Sequence, residues 1–169
     1  MRDTGILGDE ERVELVDGIV VPMSSEGPRH RGAVAKVASV LGLAYGPDAR
    51  VWTQSMFLLA DDSFRVPDLV VVRREIWTEV PDPADVALIV EVAETSRRLD
   101  HGEKARAYAR WGAEHYWVID LVARTLTAHQ HPTPAGYAQV ECIEEDAEIP
   151  LPGLTQTLRV AAALPPPGV

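Results

Sequence analysis

Lysine is nearly missing from this chain of 169 residues: it occurs only at Lys36 and Lys104, and every other basic position is arginine. Cationic side chains number 16 against 26 acids, a formal net charge of −10. A protein that coats nucleic acid regardless of sequence would be basic, so that class is excluded. The single cysteine, Cys142, rules out an intramolecular disulfide framework and any cysteine-rich zinc site. No apolar run approaches the ~18 residues that a membrane-spanning helix needs. The opening MRDTGILGDEERVEL lacks the apolar segment of a secretory signal. A cytoplasmic location with no membrane contact is therefore expected. Phosphate-loop, nucleophile-elbow and HExxH patterns are also missing.

What is there is ordinary for a globular domain: 46% hydrophobic and 25% charged residues. A chain of this length buries about two thirds of its unfolded surface and needs no covalent staple. One domain is expected over 11–160, preceded by an N-terminal extension (1–10) and followed by a flexible proline-rich tail (161–169). Charge is uneven. The stretch from Glu141 to Glu148 holds five acids and no base. From Arg97 to Arg110 there are five bases and two acids, so Arg97, Arg98 and Arg106 are the candidates for contact with a nucleic-acid backbone.

Local patterns give an element order. Asp17-Gly18 between two β-rich runs predicts a hairpin over 13–24. Apolar residues at helical spacing predict a helix from His30 to Tyr45, stopped by Gly46-Pro47. Val51 to Leu59 reads as one strand, and Pro67 to Arg73 as another. Val86 to Ala93 is apolar on both faces, the pattern of a doubly covered strand. A helix follows from Asp100, a plausible N-cap, to Gly112, a plausible stop. His115 to Asp120 reads as a strand, and Arg124–His131 with Tyr137–Ile143 as a closing hairpin. The fold class is α/β: a mixed β-sheet flanked by helices, with N-terminal and C-terminal β-hairpins. His129 and His131 read as a surface pair on one strand face. Trp111 and Trp117 are expected to pack the last helix on the sheet.

Two residues break the rules for buried strands. Asp68 heads the LVVV run, and Glu91 sits inside VALIVEVA. An ionised carboxylate among apolar neighbours is costly unless it is paired or binds a cation. Two such groups on neighbouring strands would make an oxygen-lined site of the kind Mg²⁺ prefers. Asp100, Lys104 and Tyr108 share a helix face by i, i+4 spacing, which can look toward Glu91.

Pro67-Asp68-Leu69, Val90-Glu91-Val92, Asp100-x-x-x-Lys104-x-x-x-Tyr108 and Tyr116-Trp117-Val-Ile-Asp120, in that order, resemble the Uma-two family. So do Glu14-Leu-Val-Asp17-Gly18 and the following His30. The resemblance covers about Glu11 to Ile143. It implies the PD-(D/E)XK superfamily, a restriction-endonuclease-like core and a Mg²⁺-dependent endonuclease acting on DNA, with Mn²⁺ able to substitute. Asp68 and Glu91 would be catalytic metal ligands, joined by the Val92 carbonyl. The superfamily's usual lysine slot is Ala93 here, and the family pattern moves that role to Lys104. Glu14 would be a further catalytic acid, with His30 and Tyr108 as accessories. The resemblance also implies a homodimer, because two-fold symmetry suits cutting two strands.

Two other readings stand beside this one. The acidic total and Ala93 favour a non-catalytic member of the fold, serving as a binding or assembly module. The same site could also hydrolyse RNA or a nucleotide. DNA binding should in any case be weak and depend on metal and salt.

Overall fold

The computed structural model describes residues 13–23, 26–73 and 81–167, apart from the Arg97 side chain. The expected extension over 1–10 lies outside them.

Asp17-Gly18 joins β1 (Val13–Val16) to β2 (Ile19–Pro22) in a tight antiparallel hairpin. Both turn residues have positive φ, 47° and 80°, the left-handed pair that a two-residue hairpin requires. β1 also pairs with β5 (Ser63–Arg65), and β5 with β4 (Phe57–Ala60). The result is a four-stranded sheet in the order β2-β1-β5-β4. The single strand expected over Val51–Leu59 is in fact two, in different sheets: β3 (Arg50–Thr53) and β4. Gln54, at φ 48°, takes the chain out of extended conformation between them. Strand-favouring residues flank the break on both sides and mask it.

The central sheet has six strands in the order β10-β9-β8-β7-β6-β3. Here β6 is Leu69–Val72, β7 Val86–Ala93, β8 His115–Asp120, β9 Thr125–Thr133 and β10 Gly136–Glu144. β7 and β8 run parallel and all other neighbours antiparallel, so the sheet is mixed, as expected. Every residue of β6 and β7 is buried, which accounts for their unbroken apolar character.

Alternation along the strands divides the core. Leu69, Val71, Leu88, Val90, Trp117 and Ile119 pack with Val34, Val37 and Leu41 of α1 (Pro28–Tyr45). Val70, Val72, Ile89, Ala93, Tyr116 and Val118 pack with Phe57 and with Ala105 and Tyr108 of α3 (Ala105–Trp111). Glu91 falls between Ile89 and Ala93 in this alternation and so faces α3. Trp117 belongs to the α1 side, whereas Trp111 meets Phe57 edge-on at 5.9 Å, so the two tryptophans do not share the role expected of them.

The crossover from β7 to β8 starts earlier than expected. α2 (Arg97–Leu99) leads into a π-helical turn (Asp100–Lys104) and then α3. Asp100 is inside the helical run rather than capping it, since its N–H donates to the Ser96 carbonyl at 3.1 Å. Ser96, a favoured cap type, precedes the first turn. Gly112 ends the run at φ 95°.

After β10 come a short ribbon, β11 (Glu148–Pro150) with β12 (Thr157–Arg159), and one helical turn, α4 (Val160–Ala163). The tail expected to be flexible from 161 is packed through Pro165. Leu164 is buried, its carbonyl accepts from Lys36 Nζ, and the Pro165 carbonyl accepts from Arg124 Nη1 at 3.0 Å. Among the described residues no helix is long and apolar enough to cross a membrane.

Candidate metal centre

The end of β6 creates the site. Its pairing with β7 reaches only to Leu69 opposite Val90, so the β7 backbone beyond Val90 lacks a strand on that side. The Val92 N–H turns to Asp68 instead and donates to Oδ2 at 2.7 Å. His30 Nε2, from the first turn of α1, lies 3.2 Å from the same oxygen. Asp68 is therefore fixed by a backbone amide and an imidazole, and it remains buried. Burial pulls the His30 pKa down, but the hydrogen bond to Asp68 and the charges of Asp68 and Glu26 outweigh it, and the net shift is upward.

Glu91 is 2% exposed. Tyr108 Oη donates to its Oε1 at 2.8 Å, and Lys104 Nζ lies 3.0 Å from Oε2. Lys104 also reaches Asp100 Oδ1 at 3.3 Å, and Asp100 accepts a hydrogen bond from Ser96 Oγ. The i, i+4 face predicted for Asp100, Lys104 and Tyr108 thus converges on Glu91. It does so through a π-helical turn, an irregularity often found at functional sites. Burial pushes the Glu91 carboxyl up to about 8, against the pull of Lys104 and with help from Asp68. Burial alone would lower Lys104, but Glu91 and Asp100 raise it, so Lys104 is the firmly charged member of the cluster.

Glu14, Glu26, His30, Asp68, Glu91 and Lys104 all line one cavity of about 150 Å³. Glu14 is engaged at both oxygens, by Arg65 Nη1 and by the Val66 N–H, each at 3.0 Å. Arg65, 2% exposed, also donates to Glu103 Oε1 at 2.7 Å. Glu94 lines the cavity too and pairs with Arg29 at 3.5 Å. A groove lined by Arg98, Arg106 and Gly102 also takes in Ser96, Leu99 and Glu103, which line the cavity as well. Arg98 and Arg106 are exposed there, while the Arg97 side chain lies outside the described residues.

The donor set fits a hard divalent cation: several buried carboxylates face one small polar cavity that a cation would relieve of like-charge repulsion. Glu26, His30 and Asp68 each bring a ligand atom within 4.8 Å of the others. Sequence reasoning missed Glu26 and Arg65. Glu26 stands four residues before His30, a spacing that could have flagged it. Arg65 sits in a short strand that the sequence does not announce.

The Uma2 family model, described as "Putative restriction endonuclease", matches residues 4–163. The chain belongs to the Uma2 family. Its structure is similar to that of "a putative nuclease belonging to DUF820 from Anabaena variabilis ATCC 29413", with a TM-score of 0.74 and 18% identity, covering 95% of this chain and 94% of that one. The Uma2 chain therefore has a restriction-endonuclease-like fold. No curated protein matches it.

Proposed function

We propose that this Uma2 protein is a divalent-metal-dependent endonuclease that hydrolyses phosphodiester bonds in DNA. The observation that carries this reading is the convergence of Asp68, Glu91 and Lys104, from a strand head, a strand interior and a crossover helix, on one cavity. Family membership and the nuclease neighbour support the hydrolytic class.

Asp68, Glu91 and the Val92 carbonyl would hold Mg²⁺, or Mn²⁺ in its stead. The chemistry a bound cation supplies is stabilisation of charge on the phosphate and a lower pKa for a bound water. The rest falls to the protein. Val92 N–H and His30 hold Asp68 in one orientation. Tyr108 fixes one oxygen of Glu91. Lys104 brings a permanent positive charge to the cavity, where it aligns the attacking water or steadies negative charge developing on the phosphate. Arg98 and Arg106 contact the nucleic-acid backbone along the adjoining groove, and Arg97 is proposed to join them. Glu14 acts through Arg65, as a group that organises the cavity wall. A homodimer would bring two such centres to the two strands.

The test is incubation of purified protein with plasmid DNA and Mg²⁺ or Mn²⁺. Cleavage should need the cation and be lost in Asp68→Asn and Glu91→Gln. Cleavage unchanged in both variants would falsify the assignment. Comparing duplex DNA, single strands and RNA fixes the substrate class.

A further inference from the structure

β10 forms one edge of the central sheet, and among the described residues no strand pairs with its outer side. Ala138, Gln139, Val140, Glu141 and Cys142 are all exposed, Val140 at 57%. Alternation would bury every second residue if either face were covered, so this stretch is open on both faces as well as along its edge. Edge strands usually guard themselves with lysine, proline, a bulge or short length. β10 is nine residues long and holds neither lysine nor proline, and its register against β9 runs unbroken from Gln139 to Glu144. An edge this long and unguarded is a template for another strand.

The strand's own sequence points to its occupant. A two-fold axis normal to the sheet joins two copies of an edge strand antiparallel and sets one residue opposite its own copy. The axis that pairs all of Gly136–Glu144 passes at Val140, the midpoint. That register sets Val140 against Val140, Ala138 against Cys142 and Gln139 against Glu141, so apolar meets apolar and an amide meets each carboxylate. An axis at Glu141 opposes like charges, one at Gln139 sets Tyr137 against Glu141, and one at Cys142 sets Val140 against Glu144. An axis at Ala138 leaves Glu141 to Glu144 unpaired.

We infer that β10 is the interface of a homodimer, in which two copies join their central sheets edge to edge with Val140 on the two-fold axis. The inference rests on the homodimer proposed above and gives it a surface. Main-chain hydrogen bonds supply the affinity, and the side-chain register supplies the specificity. No residue of β10 lines the candidate cavity, so both cavities stay open to substrate.

Sedimentation equilibrium of the full chain over a range of concentrations tests the interface. Wild type should dimerise. Gln139→Glu sets two carboxylate pairs against each other across the axis and should weaken the dimer at least about fivefold. Adding Glu141→Gln puts an amide opposite each acid again and should recover the wild-type affinity. Gln139→Lys should tighten the dimer by a similar factor. These side chains are exposed, so each variant should fold, which circular dichroism checks. Val140→Cys with Cys142→Ser should form a disulfide-linked dimer on mild oxidation, since directly opposed residues lie about 4.5–5.5 Å apart at Cα. A monomer at every concentration overturns the inference and leaves the edge to a different chain. A dimer unmoved by Gln139→Glu overturns it as well. Cleavage is read separately: a monomer that cuts plasmid DNA keeps the nuclease reading and loses the interface, whereas a dimer of the expected register without cleavage does the reverse.

Discussion

Lys104 Nζ lies 3.0 Å from Glu91 Oε2 inside a cluster in which both side chains are about nine-tenths buried or more. Removing one partner of such a pair usually costs about 3–5 kcal/mol, because the other charge is stranded. Here Glu91 has a way out. Burial already pushes its carboxyl up to about 8 against the pull of Lys104, so without Lys104 it is held neutral at and above neutral pH, and burial raises the Asp100 carboxyl in the same direction. Lys104→Met should therefore destabilise by only about 1–3 kcal/mol, the scale of losing hydrogen bonds to a neutral acid. Cleavage should fall at least about 100-fold, since the charge proposed to face the phosphate is gone. Urea unfolding beside single-turnover cleavage checks both halves. Collapse of the fold would show that Glu91 stays ionised.

Arg65 has no such relief. It is buried between Glu14 and Glu103, and it links the four-stranded sheet to the crossover helix. Arg65→Met should cost about 3–5 kcal/mol, because Glu14 is left buried beside a neutral side chain. Adding Glu14→Gln should restore part of the loss, so the double variant is more stable than the sum of the single changes predicts. Strict additivity in chemical denaturation would mean that the two do not act as a pair.

The residues that could be read from sequence were those whose chemistry conflicts with their surroundings. Glu91 stands out because an acid in VALIVEVA needs a partner, and its partners Lys104 and Tyr108 follow at helical spacing. The mixed sheet was legible because β7 is apolar on both faces and is followed by a crossover. What escaped was set by distant backbone. The break at Gln54 needs a positive φ that VWTQSMFLL does not signal. The spacing of His129 and His131 predicts a surface pair, yet His131 takes φ 58°, which ends the alternation. His129 is consequently buried while His131 is exposed and pairs with Glu114. Lys36 and Lys104 each fix a specific contact, one on the C-terminal segment and one in the cavity. Scarce lysine is thus a better guide than the proline-rich composition of the tail, which suggests looseness where Leu164 is in fact packed.

Arg98 and Arg106 line a groove that shares Ser96, Leu99 and Glu103 with the cavity. On a chain of net charge −10 their contribution to DNA binding should be a large share of the total. Each alanine substitution should weaken binding to random duplex uniformly. Each should also reduce the slope of log affinity against log salt by about one. Fluorescence anisotropy at several salt concentrations, with Ca²⁺ to hold off cleavage, measures this. An unchanged slope in the double variant would direct the backbone path elsewhere.

His129 sets an acid limit on stability. It is 3% exposed and packed on Tyr116 at 5.1 Å and Tyr137 at 5.5 Å, with the His101 ring at 5.9 Å. Burial pulls its pKa from 6.5 to about 4, and His101 pulls in the same direction. Between these two values the unfolded chain binds a proton that the folded chain refuses. The neutral ring's contribution is therefore fully present above pH 6.5 and is lost as pH falls toward 4. The whole shift corresponds to about 3 kcal/mol, of which about 2 is gone by pH 5. His129→Phe keeps a ring of similar size in the stack and removes the titration. Wild type should lose about 2 kcal/mol more than this variant between pH 7 and pH 5. His30 and His115 titrate alike in both proteins and cancel in the difference. Urea midpoints across that range give the comparison, and parallel stability curves for the two proteins would mean that His129 is protonated in the fold.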